Sequence, residues 1–138
     1  MTVTEPVLQE DRLDYTPTAR SIPLARRRVA RLVREWGRPE AAGDAALLVS
    51  ELATNALLHG SVQGRLFRVH LTLTAATLRI AVTDARGERL PEARAAADDE
   101  KFGRGLVIVS MLAARWDVAQ LTVGKEVWCE LDLKPTAA

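Results

Sequence analysis

The spacing of the apolar residues changes near residue 60 of this 138-residue chain, and this change constrains the fold most strongly. Before it, apolar side chains recur every three or four residues, which is typical of amphipathic helices. After it, they alternate with polar side chains, which is typical of half-buried strands. We therefore expect an α+β fold: a two-layer α/β sandwich whose mixed or antiparallel sheet is covered on one face by helices.

Two helices are predicted in the first half of the chain, after a short edge strand over residues 11–16. The first helix spans Leu24–Trp36, and Gly37 fits its end. The second spans about Glu40–His59, and Gly60 stops it. Both have an apolar stripe on one face, so both are expected to pack on the sheet.

The second half predicts two pairs of strands with a third helix between them. Alternating side chains over residues 65–74 and 77–84 indicate an antiparallel hairpin. A helix is predicted over Leu106–Ala114, and two more strands over residues 115–122 and 126–133. The order helix, helix, strand, strand, helix, strand, strand is typical of segregated α+β folds.

The length of the chain suits one domain, because domains cluster near ~100–150 residues. We expect a flexible tail over residues 1–10, one domain over residues 11–134 and a C-terminal tail over residues 135–138. A loop of about residues 86–102 interrupts the domain. A loop that long is usually functional or disordered.

Charge and cysteine content bear on the partners and the compartment. The chain has 19 Lys and Arg against 18 Asp and Glu, a balance that argues against a protein built wholly around nucleic acid. Cys129 is the only cysteine, so no internal disulfide can form and a reducing compartment is expected. We find no signal peptide and no apolar run near the ~18 residues of a spanning helix. We therefore predict a cytoplasmic protein without a membrane segment.

Glu51 and Asn55 are the first pair of residues suited to chemistry. They lie four residues apart on the second predicted helix and so share one face, beside its apolar stripe. A carboxylate and an amide oxygen placed this way could hold a hydrated Mg²⁺ ion, and the carboxylate could accept a proton. A solvated helix face would show the same spacing.

Asp84 ends a predicted strand and has the same parity as the apolar residues of that strand. The pattern therefore directs a carboxylate toward the core, where an unpaired charge is costly. A buried carboxylate needs donors, and an adenine amino group would be one. An aspartate at a strand end can also start a turn by bonding its own backbone.

Gly103 and Gly105 precede the third predicted helix, which begins at Leu106. Glycines let backbone N–H groups approach a phosphate, and a helix N-terminus favours negative charge. Lys101 and Arg104 flank the glycines and could add phosphate contacts. Because they follow the long loop, these residues fit a lid that closes over a ligand, although a flexible hinge would need the same glycines.

Arginines recur along the first helix and just beyond it, between Arg26 and Arg38. Such a face could touch nucleic acid, but it is more often solvated or docks a protein. It has no interleaved aromatic residues and no zinc-ligand spacing. We therefore expect no direct nucleic-acid binding, and binding through the Arg-rich first helix is the least favoured alternative.

Taken in order, these segments resemble the histidine-kinase-like (GHKL) ATPases, and among them the small anti-sigma factors of actinobacterial type. Residues 51–60, Glu-Leu-Ala-Thr-Asn-Ala-Leu-Leu-His-Gly, resemble the N-box. Residues 82–87 resemble a degenerate G1 box, and residues 103–106 resemble the G2 box. Residues 124–131 resemble the final strand of the anti-sigma members, so the resemblance covers about residues 11–133.

The resemblance implies roles for these residues. Asn55 would coordinate the Mg²⁺ ion that bridges the ATP phosphates, and Glu51 would be the general base. Asp84 would accept a hydrogen bond from the adenine amino group. Residues of about 86–102 would form the ATP lid, and the remaining nucleotide contacts would come from Gly87, Lys101, Gly103, Arg104, Gly105 and Leu106.

The resemblance also implies an activity and partners. Anti-sigma members bind a sigma factor and phosphorylate a serine or threonine of an anti-anti-sigma factor, with ATP and Mg²⁺. The first helix and its neighbours would contact the sigma factor or a second copy in a homodimer.

Two segments depart from the family pattern. Residues 84–88 read Asp-Ala-Arg-Gly-Glu where the family has Asp-x-Gly-x-Gly, and Glu126 replaces a common threonine that supports the adenine-binding aspartate. These departures favour the alternative, a non-catalytic protein-binding module with weak or absent ATP binding.

Overall fold

The computed structural model describes residues 5–60, 66–84, 106–121 and 124–135. Its elements, in chain order, are β1 (Gln9–Tyr15), α1 (Ser21–Glu35), a 3₁₀ turn (Pro39–Ala41), α2 (Ala42–Asn55), a π turn (Ala56–Gly60), β2 (Phe67–Leu73), β3 (Thr77–Asp84), α3 (residues 106–112), β4 (Arg115–Gln120) and β5 (Lys125–Asp132). The predicted loop of about residues 86–102 lies outside the described residues.

The five described strands form one antiparallel sheet in the order β1-β2-β3-β5-β4. The predicted hairpin of β2 and β3 is present, and β4 pairs with β5 as consecutive strands often do. The last strand, β5, lies between β3 and β4, so it pairs with β3 over its whole length. This pairing brings the beginning of β5 beside the end of β3, where Asp84 lies.

The two faces of the sheet differ in polarity because side chains alternate along each strand. On the face toward the helices, the apolar residues of β3 are at most 1% exposed: Leu78, Ile80 and Val82. The outer face carries ion pairs, which join Arg68 to Asp14, Arg79 to Glu126 and Arg115 to Glu130. An antiparallel sheet can leave such a polar face to solvent. The predicted α+β sandwich with helices on one face is confirmed.

Helix α2 supplies much of the core, since Leu48, Val49 and Leu52 have no exposed surface. The helical stretch Pro39–Leu58 is long and apolar enough to cross a membrane by length and composition, so the expectation of no such run was wrong. However, 56% of its apolar 18-residue segment is buried inside the protein. A helix that is apolar on several faces is typical of a domain core, and we interpret this stretch as a core helix.

Arg38 does not belong to the exposed arginine face on which it was predicted. Helix α1 ends at Glu35, and Gly37 then turns the chain with a φ of 87°. Arg38 is therefore redirected inward and is only 7% exposed. Its Nη1 donates to the carbonyl of Lys134 at 2.6 Å, and its Nη2 donates to that of Ala75 at 3.0 Å.

Candidate functional site

Glu51 and Asn55 lie near the C-terminal end of α2, one helical turn apart. Asn55 is only 5% exposed, and Glu51 is half-buried. The burial of Asn55 is at odds with a simple solvated face, because amide side chains are mostly exposed in folded proteins. The structure thus places a carboxylate and an amide together beside the core.

The helix continues from Asn55 into the π turn, Ala56–Gly60, whereas an unbroken helix was predicted to His59. Just before this turn, the Oγ1 of Thr54 donates to the carbonyl of Ser50 at 2.7 Å, a bond that slightly loosens a helix. Short π segments occur frequently at functional sites. This one contacts β3, so the end of α2 is held against the strand that carries Asp84.

The side-chain amide of Asn55 has an unsatisfied donor. Its Nδ2 is buried and finds no acceptor within the described part of the chain. Leaving a buried donor without a partner costs ~1–3 kcal/mol, so such atoms are uncommon and often indicate a ligand or water. The Oδ1 of the same amide is the kind of hard oxygen that Mg²⁺ prefers.

A triphosphate with Mg²⁺ fits these two atoms of Asn55. The metal would take Oδ1, and a phosphate oxygen would accept from Nδ2. Among the residues that the structure describes, no group of three or more His, Cys, Asp or Glu side chains could hold a metal by itself. Mg²⁺ in nucleotide sites suits such a surrounding, because it usually binds one or two protein oxygens, substrate phosphates and water.

Asp84 is the last residue of β3 and is 3% exposed. It continues the row of buried residues that includes Ile80 and Val82, so its predicted direction toward the core is confirmed. A buried carboxylate acts as a strong hydrogen-bond acceptor. Its role at the adenine amino group stays a prediction.

Lys125 lies directly opposite Asp84 across the β3–β5 ladder and is half-buried. Glu126, which was predicted to bear on this aspartate, lies on the outer face, where its Oε1 accepts from the Nη2 of Arg79 at 3.0 Å. Sequence reasoning missed Lys125. The parity of β5 could have found it, because the alternate residues that follow Lys125 on the same face are buried: Val127, Cys129 and Leu131.

Leu106 is the one predicted nucleotide-contacting residue of the third helix that the structure describes. It is 5% exposed and joins the core together with Val109. The other predicted contacts lie outside the described residues, and their roles stay predictions: Gly87, Lys101, Gly103, Arg104 and Gly105.

A cleft of about 400 Å³ borders the end of β3 at Asp84, and residues of the outer sheet face line most of it: Arg12, Asp14, Leu66, Arg68, His70, Thr83, Asp84, Leu121 and Glu126. Its charged groups are largely paired, since Arg68 binds Asp14 at 2.8 Å and the Nε2 of His70 lies 2.7 Å from Glu10. The hydrogen bond from Arg68 also lowers the pKa of Asp14. Of the predicted site residues Glu51, Asn55 and Asp84, Asp84 lines this cleft and the other two do not.

A model of the histidine kinase-like ATPase domain matches residues 15–130, which is most of the chain. No curated protein matches it. The matched segment contains α2 with Glu51 and Asn55, β3 with Asp84, and nearly all of β5. Together with the two-layer sandwich and its antiparallel sheet, this match shows that the chain belongs to the family of histidine kinase-like ATPase domains.

Proposed function

We propose that this protein is an ATP-binding regulator of the anti-sigma factor class, which binds a sigma factor and phosphorylates a serine or threonine of an anti-anti-sigma factor. A histidine kinase-like ATPase domain implies ATP binding, usually with Mg²⁺. The observation that carries the proposal is the buried amide of Asn55, whose Nδ2 has no acceptor in the described ranges. A triphosphate supplies that acceptor, and its Mg²⁺ ion suits Oδ1.

The proposal assigns a separate role to each of three side chains. Asn55 binds the metal, Asp84 accepts a hydrogen bond from the adenine amino group, and Glu51 orients the acceptor hydroxyl and takes its proton. Bound Mg²⁺ would neutralise charge that develops on the phosphates. The γ-phosphoryl group passes to the hydroxyl oxygen and ADP leaves. Positioning and charge stabilisation suffice for such a transfer, so one carboxylate beside the metal ligand is enough.

The surface of α1 supports a protein partner. Exposed arginines on or beside this helix have no ion-pair partner within the described residues: Arg20, Arg26, Arg27 and Arg34. Arg31, by contrast, pairs with Glu35 at 3.4 Å. Leu24 adds an apolar side chain that is 51% exposed. An acidic surface of the sigma factor would complement this face, and a homodimer is the alternative. Because a sigma factor acts in the cytoplasm, the proposal includes a cytoplasmic location.

Calorimetric titration with ATP and Mg²⁺ tests the binding part of the proposal. Asp84→Ala should weaken ATP binding by about tenfold or more, because a hydrogen bond to a charged group contributes ~1.5–3 kcal/mol. Asn55→Ala should weaken the dependence of binding on Mg²⁺. Asp132→Ala, which removes an exposed carboxylate from the other end of β5, is the matched control and should bind normally. Unchanged ATP affinity in Asp84→Ala would refute the role of Asp84.

Phosphotransfer from radiolabelled ATP to candidate antagonist proteins of the source organism tests the catalytic part. Glu51→Gln should lower the transfer rate by ~10²–10⁴-fold, the usual contribution of a general base, while ATP affinity is retained. Glu35→Gln, on the exposed side of α1, should keep the rate. If ATP binds but no candidate is phosphorylated, the non-catalytic binding module becomes the better reading.

A further inference from the structure

Asp84 and Lys125 form the last pair of the β3–β5 ladder. Both belong to the helix-facing row of the sheet, since Asp84 follows the buried Val82 and Lys125 precedes the buried Val127. Directly opposite residues of an antiparallel pair have Cβ atoms ~4.5–5.5 Å apart. The flexible four-carbon stem of a lysine lets its ammonium group reach a carboxylate at that separation.

The other charges on the adjoining strands are directed away from Asp84. Glu126 faces the outer side and is held by Arg79 at 3.0 Å. On the opposite side of β3, the helix-facing residue of β2 nearest this end is the apolar Phe67, which is 2% exposed. Helix α2, which also packs on β3, contributes the like charge of Glu51. Among the described residues of β2 and β5, Lys125 is thus the cation on the face of Asp84.

A carboxylate that is 3% exposed needs nearby donors or a cation to remain ionised. A carboxylate also has two oxygens with about four lone-pair sites, so it can accept from a lysine and from a second donor together. An ion pair with Lys125 therefore leaves Asp84 able to accept from a base. Removal of the lysine takes away a positive charge that favours the ionised form, which shifts the balance toward the neutral acid, whose O–H group is a donor.

We propose that Lys125 is a positioning residue for adenine recognition, which holds the Asp84 carboxylate as an acceptor for the 6-amino group and so favours adenine over 6-oxo purines. The inference rests on the proposed function, because it requires ATP to bind at Asp84. A 6-oxo purine has a carbonyl where adenine has an amino group. An ionised Asp84 therefore rejects it, whereas a neutral Asp84 can donate to it.

The ratio of ATP affinity to ITP affinity, measured by calorimetry with Mg²⁺ on the full chain, tests the inference. Wild type should prefer ATP by about tenfold or more, the effect of one charge-assisted hydrogen bond. Lys125→Met should reduce that preference by about fivefold or more, and Lys125→Arg should restore it. Arg79→Met removes one positive charge from the outer face of the same sheet, so it is the matched control and should keep the preference.

The other possible results overturn either the role of Lys125 alone or the proposed function as well. Equal weakening of ATP and ITP in Lys125→Met would mean that Lys125 acts on the triphosphate or on stability, and it would overturn the inference alone. Wild type that binds ATP without preference over ITP would do the same. Wild type that binds no ATP would overturn the proposed function and this inference with it. If thermal unfolding shows that Lys125→Met does not fold, Lys125→Gln supplies the same ratio with a neutral polar side chain.

Discussion

The substitution Arg38→Met tests whether one buried guanidinium group joins three distant segments of the fold. Arg38 follows α1 and donates to the carbonyls of Ala75, in the β2–β3 turn, and Lys134, beyond β5. It also lies 3.6 Å from the carboxylate of Glu40. Methionine fills much of the same space but donates no hydrogen bond, so the substitution removes the polar contacts selectively.

The magnitude follows from the environment of these contacts. Hydrogen bonds from a charged donor contribute ~1.5–3 kcal/mol each, so two of them sum to ~3–6 kcal/mol. Ala75 and Lys134 are exposed, so water can replace the lost donors, and we expect about half of that sum, ~1.5–3 kcal/mol. Glu40 adds little, because its side chain is 54% exposed. A chain of this length should lose roughly 4–15 °C in Tm.

Thermal and urea unfolding measure this loss, with Arg34→Met as the control. Arg34 is exposed and forms no ion pair within the described residues, so its loss should change stability by less than ~0.5 kcal/mol. Hydrogen exchange at the amide of Leu133, which donates to the carbonyl of Ala76 at 2.8 Å, should accelerate in Arg38→Met alone. Equal unfolding temperatures for the two variants would refute the idea that Arg38 joins these segments.

Four further predictions concern separate residues. Gly37→Ala should lose ~1–2 kcal/mol in urea unfolding from its φ of 87° alone, and Gly43→Ala should gain ~1 kcal/mol, because an added Cβ meets nothing within 4 Å at either position. Hydrogen bonds from Arg68 lower the pKa of Asp14 below 3.8, so the pair stabilises the fold above that pH. The stability difference between wild type and Asp14→Asn should therefore vanish as acid titrates the folded carboxylate. Burial raises the pKa of Cys129 to about 12, so this thiol should react with maleimide at about pH 8 only after unfolding.

Hydrophobic periodicity predicted the elements of the fold but not all of their ends. The strand expected over residues 77–84 is observed as Thr77–Asp84, because its alternation continues to the last residue. Helix α1 was expected from Leu24 but begins at Ser21, whose Oγ donates to the carbonyl of Thr16 at 2.6 Å. A polar contact of this kind leaves no trace in an apolar stripe. The position of β5 between β3 and β4 also depends on tertiary packing rather than on local pattern.

The candidate site, like the fold, could be predicted from the sequence only in part. Spacing alone predicted that Glu51 and Asn55 share a helix face and that Asp84 is directed inward, and the burial of Asn55 and Asp84 agrees. The π turn after Asn55 could not be predicted, because it depends on how the end of α2 packs on β3. Propensity rules distinguish helix from strand, but they do not distinguish an α-helical turn from a π-helical turn.

The register of β5 decides how Glu126, which departs from the family's sequence pattern, should be interpreted. The resemblance to the family implies a threonine at the position of Glu126 that would support an adenine-binding aspartate, and from sequence this departure favoured weak nucleotide binding. The burial of Val127, Cys129 and Leu131 fixes the parity of the strand, since a shift of one residue would turn all of them toward solvent. The same parity sends Glu126 to the outer face and Lys125 to the side of Asp84. The departure at Glu126 therefore weighs little against nucleotide binding, because Lys125 and not Glu126 lies opposite Asp84.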